Sequence, residues 1–454
     1  MVRAASYPGA VTSTALLTDR YELTMLQAAL RSGTADRRTV FELFGRALPD
    51  GRRYGIVAGA RRALDALDDF RFDADVLGHL RAETIVDAPT LDWLASYEFS
   101  GDVWGYAEGE AYFPGSPLLI VEGTFGECVL LETLLLSIYN HDSAIASAAS
   151  RMTGAAGGRP ILEMGSRRTH EQAALAAARA AYIAGFDATS NLAAGRVYGI
   201  PTVGTSAHAF TLLYDTERAA FAAQVDSLGT GTTLLVDTYH IGEAVRVGVE
   251  VTGPELGAVR IDSGDLPHLA HEVRRELDGL GAEHTKIIVT SDLDEYALAG
   301  LAAAPVDGYG VGTALVTGSG HPTCGFVYKL VARGDPGSDA PLTPVAKLSS
   351  HKSSIGGRKW ATRRHGPDGV AEAEEIRVGV PPSGSEQERE LLVPLVSKGT
   401  RVHDETLDAA RDRHRRVVAE LPLGARHLTR GEPAIPTEYV TPHATTRDPS
   451  PHHE

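Results

Sequence analysis

From Ile200 onward the chain repeats one hydrophobic pattern: a short β-branched apolar run, a polar or glycine-rich turn, then a helical segment. The runs are Ile200–Val203, Leu234–Val236, Val259–Ile261, Ile287–Val289 and Tyr309–Val311. Strands alternating with helices in this way predict βαβ units and a parallel sheet. Upstream, Glu127–Ser150 is helical in pattern and rich in Leu and Ala, and Ala173–Ala184 is an Ala-rich segment that helix propensity favours strongly. From Thr18 to about Val121 short helices and strands alternate, with turn signals at Leu48-Pro-Asp-Gly51 and Phe113-Pro-Gly115.

Each apolar run ends on residues able to do chemistry. In order these are Gly204-Thr-Ser-Ala-His208, Asp237-Thr-Tyr-His240, Asp262-Ser-Gly-Asp265, Thr290-Ser-Asp292 and Gly312-Thr313. Parallel α/β sheets and β/α barrels place their active sites at the C-terminal ends of the strands. A single such turn reads as an N-cap, because Asp, Ser and Thr commonly open the next helix. Five in succession, carrying carboxylates, a histidine and glycines, point to a site.

The residue types suggest phosphate chemistry. In Gly310-Val-Gly-Thr313 the glycines let backbone N–H groups approach an anion, and a following helix N-terminus adds positive dipole, although the motif alone is also an ordinary turn. Arg260 lies just inside its strand end and needs an anionic partner, either Asp262 or a ligand. Asp262 and Asp265 can accept ribose hydroxyls or hold Mg²⁺ through water. The pair Arg167-Arg168 is either a solvated turn or a planar fork for a carboxylate or pyrophosphate. His208, set among small residues, reads as a base, a metal ligand or a phosphoryl acceptor. With no HxH or HExxH nearby, the metal ligand is the weakest of the three.

Composition bounds the partners. The 454 residues carry 43 Lys+Arg against 59 Asp+Glu, a net charge of −16. That balance excludes a dedicated nucleic-acid binder, which needs a basic footprint. It does not exclude small anions, which a few local arginines can hold inside an acidic protein. The two cysteines, Cys128 and Cys324, have no CxxC context, which disfavours zinc knuckles, iron–sulfur sites and disulfide frameworks. No apolar h-region opens the chain, and no run approaches the ~18 apolar residues of a membrane span. The expectation is a cytoplasmic protein without a membrane partner, with a disordered tail over 441–454.

Taken together, these motifs resemble the nicotinate phosphoribosyltransferase family, over roughly Thr14 to Tyr439. The resemblance begins with Leu17–Met25, Phe41–Phe44, Leu48–Tyr54 and Leu131–Leu136. It is densest from Gly165-Ser-Arg-Arg168 through Ala180–Phe186 and Thr189-Ser-Asn191 to Gly204–His208. Arg260–Leu266, Gly310–Thr313, Lys347-Leu-Ser349 and Gly357-Arg-Lys359 complete it.

The resemblance implies formation of nicotinate mononucleotide and pyrophosphate from nicotinate and 5-phosphoribosyl 1-diphosphate, coupled to ATP hydrolysis through a phosphohistidine at His208. It implies that Thr205 and Arg260 contact nicotinate and that Arg167 lies near the pyrophosphate. Asp237, Asp262 and Asp292 would surround the ribose and Mg²⁺, and Gly312 and Thr313 would hold the 5′-phosphate. Tyr21 would stack on the pyridine from the neighbouring subunit of a head-to-tail homodimer. Ser190 stands where related nicotinamide enzymes carry an aspartate. A neutral donor there favours the acid over the amide, leaving a nicotinamide enzyme or a silent phosphoribosyl-ligand sensor as the alternatives. Met164 stands where the family more often has a ring-stacking phenylalanine, and Gly356-Gly357 where Pro-Gly is usual. The implied fold is α/β: an irregular, TIM-like β/α barrel over 126–340 beside a second α/β domain from 17–125 plus 341–440. The segment 1–16 is expected to pack near the barrel.

Overall fold

A computed structural model describes residues 13–335, 338, 340–347, 355–382, 384–385 and 387–440. The expected disordered tail, most of the segment 1–16, and Leu348 and Ser349 of the C-terminal motifs lie outside the described residues. The chain divides into two compact units, one of 1–143, 323–425 and 430–454, the other of 144–322 and 426–429. The barrel segment expected over 126–340 is therefore divided differently here: 126–143 and 323–340 belong to the first unit.

The second unit is built on six parallel strands: β1 (Ile161–Glu163), β2 (Ala188–Thr189), β3 (Thr233–Leu235), β4 (Ala258–Ile261), β5 (Lys286–Val289) and β6 (Gly308–Val311). Their order is β2-β1-β6-β5-β4-β3, every described pairing parallel. Val259, Ile261, Ile287, Val289, Tyr309 and Val311 are wholly buried, as expected of strands covered on both faces. The Ala-rich segment forms the helix Glu171–Ile183, in which Ala174, Ala176, Ala177, Ala178, Ala180 and Ala181 are buried.

Four of the five apolar runs become strands within a residue of their expected limits. The exception is Ile200–Val203, which contributes a single parallel bridge, Thr202 to Thr189. Pro201 offers its carbonyl to Thr189 N–H at 3.0 Å but has no N–H to give, so the ladder does not extend. Among the described residues nothing joins this bridge to β3. Of the expected irregular, TIM-like barrel, the described residues show a six-stranded parallel sheet. The run Glu127–Ser150 divides into the helices Phe125–Val129 and Glu132–Ala155, the first opened by a Thr124–Glu127 capping box.

The first unit interleaves early and late segments of the chain. A seven-stranded antiparallel sheet runs in the order Thr343–Pro344, Phe326–Arg333, Arg38–Gly45, Leu119–Thr124, Asp102–Tyr106, Leu392–Ser397, Thr400–Arg401. A four-stranded sheet of Glu388–Glu390, Lys359–His365, Ala371–Val378 and Thr437–Val440 accompanies it. Arg363 is fully buried and donates to Glu374 at 2.8 Å. On the helix Leu407–Glu420, burial pushes the His414 imidazole down to about 4, with Arg411 and Arg415 adding to the shift.

Candidate active site

The strand ends converge on one side-chain network. His208 opens the helix His208–Leu212, and its Nε2 lies 3.1 Å from Asp237 Oδ1. Asp237 follows β3 and its side chain is 2% exposed, whereas that of His208 is 40% exposed. The second oxygen of Asp237 accepts from the Asp262 N–H at 3.0 Å and from Ser263 Oγ at 2.6 Å. One buried carboxylate thus ties the histidine to the end of β4.

Arg260 is the third residue of β4. Its Nη1 donates to Thr205 Oγ1 at 3.1 Å, while its Nε–H is buried and has no partner among the described residues. Burial pushes the guanidinium below its ordinary pKa; Asp262 and Asp237 oppose the shift and Arg167 adds to it. A buried N–H left without an acceptor costs about 1–3 kcal/mol, more on a charged group, and an anion placed here would remove that cost.

Beside this network lies a cleft of about 240 Å³ formed by the ends of β1, β4, β5 and β6. Arg167 and Arg168 from the short turn Ser166–Arg168 face into it, together with Asp262 and Asp292. Its remaining lining comes from Met164, Thr290, Ser291, Gly310, Gly312 and Thr313. Thr290 Oγ1 donates to Asp262 Oδ1, which fixes that carboxylate at the cleft wall. Ser291 holds φ 128°, a region side chains rarely adopt, as happens where surrounding structure over-determines a functional loop. At Gly310 a Cβ would lie 2.6 Å from Thr290 Cγ2 and 2.7 Å from Met164 Sδ, so only glycine fits.

Other sequence-derived candidates take different places. Asp265 caps the helix Leu266–Gly279, accepting from His268 N–H at 3.2 Å, and does not line the cleft. Its N-cap reading therefore accounts for it. Ser190 is exposed, and its N–H donates to Glu163 O at 2.8 Å. Tyr21 belongs to the first unit, on the helix Arg20–Arg31, and is 44% exposed rather than a core aromatic. Burial, Glu132 and Glu22 push its hydroxyl up to about 12.

Sequence reasoning passed over Glu163, and it took in Ser263 only as part of its motif, with no role of its own. An acidic residue closing a short apolar strand just before Gly165 was the available signal for the first. Among the described residues no group of three or more His, Cys, Asp or Glu is arranged to hold a metal ion by itself. Among the described residues no helix is long and apolar enough to cross a membrane.

Comparison with known proteins gives consistent matches. Residues 16–140 match the model of the nicotinate phosphoribosyltransferase N-terminal domain. The chain is 57% identical over 434 residues to a nicotinate phosphoribosyltransferase of Mycobacterium tuberculosis, covering 94% of this chain and 95% of that one. It is 38% identical over 363 residues to the Bacillus subtilis nicotinate phosphoribosyltransferase, covering 77% and 73%. The structure of human nicotinic acid phosphoribosyltransferase superposes with a TM-score of 0.80 at 27% identity, covering 94% of this chain and 98% of that one.

Proposed function

The chain belongs to the nicotinate phosphoribosyltransferase family, and on that premise we infer how its residues carry the reaction. It is an enzyme that forms nicotinate mononucleotide and diphosphate from nicotinate and 5-phosphoribosyl 1-diphosphate, a step of NAD biosynthesis. The observation that supports the assignment of roles best is the unpartnered Arg260 Nε–H beside Thr205. Together they offer a cation and a hydroxyl to the nicotinate carboxylate, with Ser190 as a neutral neighbour that does not repel it.

In the reaction the pyridine nitrogen lone pair forms a bond to ribose C1, and the C1–O bond breaks with its electron pair leaving on diphosphate. The product is a pyridinium, so no proton moves and no general base is required. The catalyst's work is to position reactants and stabilise charge. Arg167 and Arg168 receive the departing diphosphate. The backbone at Gly312-Thr313 holds the 5′-phosphate. Met164 gives the pyridine a sulfur contact in place of a stacked ring.

Mg²⁺ would enter with the phosphates. It is commonly held by one or two carboxylates plus substrate oxygens rather than by a protein cage. Asp262 and Asp292 line the cleft and suit that role, whereas Asp237 is already engaged and Asp265 is a cap. The ion would supply positive charge to the leaving group.

ATP coupling is the second part of the proposal. With Nε2 held by Asp237, the other ring nitrogen of His208 is the phosphoryl acceptor. The γ-phosphoryl group passes to it, ADP departs, and water removes the group after turnover, which couples ATP to substrate affinity. Tyr21 acts from a neighbouring subunit of a cytoplasmic homodimer, and the open parallel sheet is read as an irregular β/α barrel. The test is diphosphate release with nicotinate, with and without ATP, against nicotinamide as comparator. Equal or greater turnover of nicotinamide would overturn the substrate assignment, and ATP-indifferent kinetics would overturn the coupling.

A further inference from the structure

Glu163 closes β1 with 1% of its surface exposed and forms no ion pair among the described residues. Its carboxyl group accepts from the Gly165 N–H and from Thr189 Oγ1, while its backbone carbonyl accepts from the Ser190 N–H at 2.8 Å. In the sheet it stands opposite Thr189 of β2 and Val311 of β6. Three loops of the site leave from these positions: the Arg167-Arg168 turn, Ser190, and Gly312-Thr313. A second tie lies above it, with Thr189 Oγ1 accepting from Asn191 N–H and Asn191 Nδ2 donating to Ser166 Oγ, both at 2.9 Å. The arginine turn is also wedged tightly: a Cβ at Gly165 would lie 2.2 Å from Val316 Cγ1 and 3.1 Å from Gly312 O.

A carboxyl group without a cation is an expensive way to fill space, and burial pushes the pKa of this one up. An apolar side chain would fill the place more cheaply but could accept neither bond. We propose that Glu163 is a positioning residue, which through Gly165 and Thr189 fixes the Arg167-Arg168 turn against Ser190. The diphosphate and the pyridine are thereby held at one spacing across ribose C1. The inference rests on the functional reading above and adds to it the residue that sets the reaction geometry. Reacting atoms must approach to roughly 3–3.5 Å, and a displacement of about 1 Å costs on the order of a hundredfold in rate.

The test is steady-state kinetics on the full-length enzyme with both substrates varied. Glu163→Ala is expected to lower kcat by roughly a hundredfold and to raise KM for both nicotinate and the phosphoribosyl substrate. Glu163→Gln is expected to restore all three to within about threefold of wild type, because its oxygen still accepts from Gly165 and its amide donates to Thr189. Thr189→Val removes the bond to Glu163 together with the acceptor of the Asn191 N–H while leaving the Gly165 arm, and should raise both KM values roughly tenfold, with an effect non-additive with Glu163→Ala. A folded Glu163→Ala enzyme with wild-type constants would overturn the proposal, as would a Gln variant no better than Ala. Where the Ala variant fails to fold, wild-type constants in Thr189→Val overturn it instead. Wild-type enzyme inactive on nicotinate would overturn the functional reading itself, whereas active wild type with indifferent variants overturns only the role of Glu163.

Discussion

Asp237 Oδ1 lies 3.1 Å from His208 Nε2, although the two stand 29 positions apart in the chain. Because the same carboxylate is buried and holds Asp262 and Ser263, it fixes the imidazole's orientation and tautomer. Asp237→Asn presents either a wrong hydrogen-bond partner or a changed tautomer. The ATP-stimulated rate should fall at least tenfold and toward ~100-fold, with transfer in the absence of ATP less affected. Labelled ATP provides the direct check: acid-labile label should appear on wild type, fall in Asp237→Asn and vanish in His208→Ala. Label retained in His208→Ala would refute the assignment.

Arg260→Ala removes a charge-assisted donor from the proposed nicotinate site. A loss of ~1.5–3 kcal/mol is expected, seen as a rise in KM for nicotinate of roughly 10- to 150-fold. Arg260→Lys should recover little, since a point charge does not reproduce the guanidinium fork. Titration of nicotinate into each variant measures the effect. Unchanged affinity would show that the open Nε–H serves another group.

Ser190→Asp tests the choice between acid and amide. A carboxylate placed there repels nicotinate and offers nicotinamide an acceptor. The ratio of kcat/KM for nicotinate to that for nicotinamide should fall by at least ~10-fold, on the magnitude of one charged contact. A ratio that does not move would place Ser190 away from the substituent.

His414 gives a stability prediction independent of the reaction. Its folded pKa of about 4 lies below the ordinary 6.5, so the unfolded chain binds a proton that the native state refuses. Stability contributed by the neutral imidazole is complete above pH 6.5 and is lost progressively down to about pH 4. The difference of 2.5 units corresponds to about 3 kcal/mol. Denaturant unfolding between pH 7 and pH 4 should show this slope, and His414→Leu should flatten it. An unchanged slope in that variant would assign the acid sensitivity to other groups.

The hydrophobic pattern by itself determined four of the parallel strands, the Ala-rich helix and the positions at which polar residues meet the sheet edge. These are local properties, set by backbone period and helix propensity over a few residues. The same locality explains the misreading of Ile200–Val203, where apolar content is right but Pro201 withholds a donor. The positions of Arg167, Asp262, Asp292 and Gly312 beyond their strand ends, and of Arg260 one residue inside its own, were also legible, because they follow from where each apolar run stops.

What only the tertiary structure decided is which strand ends become neighbours. The order β2-β1-β6-β5-β4-β3 brings Asp262 to Thr290, Asp237 to His208 and Arg260 to Thr205, and it leaves the Arg260 Nε–H without a partner among the described residues. It also puts Glu163 between the strands that carry Ser190 and Gly312, a role invisible in a residue bounded by Leu162 and Met164. Net charge shows the same division. The total of −16 describes the whole chain, while the cations that suit anionic ligands gather because folding assembles Arg167, Arg168 and Arg260 from two distant segments. Sequence sets what each strand end carries, and long-range pairing sets what those groups can do together.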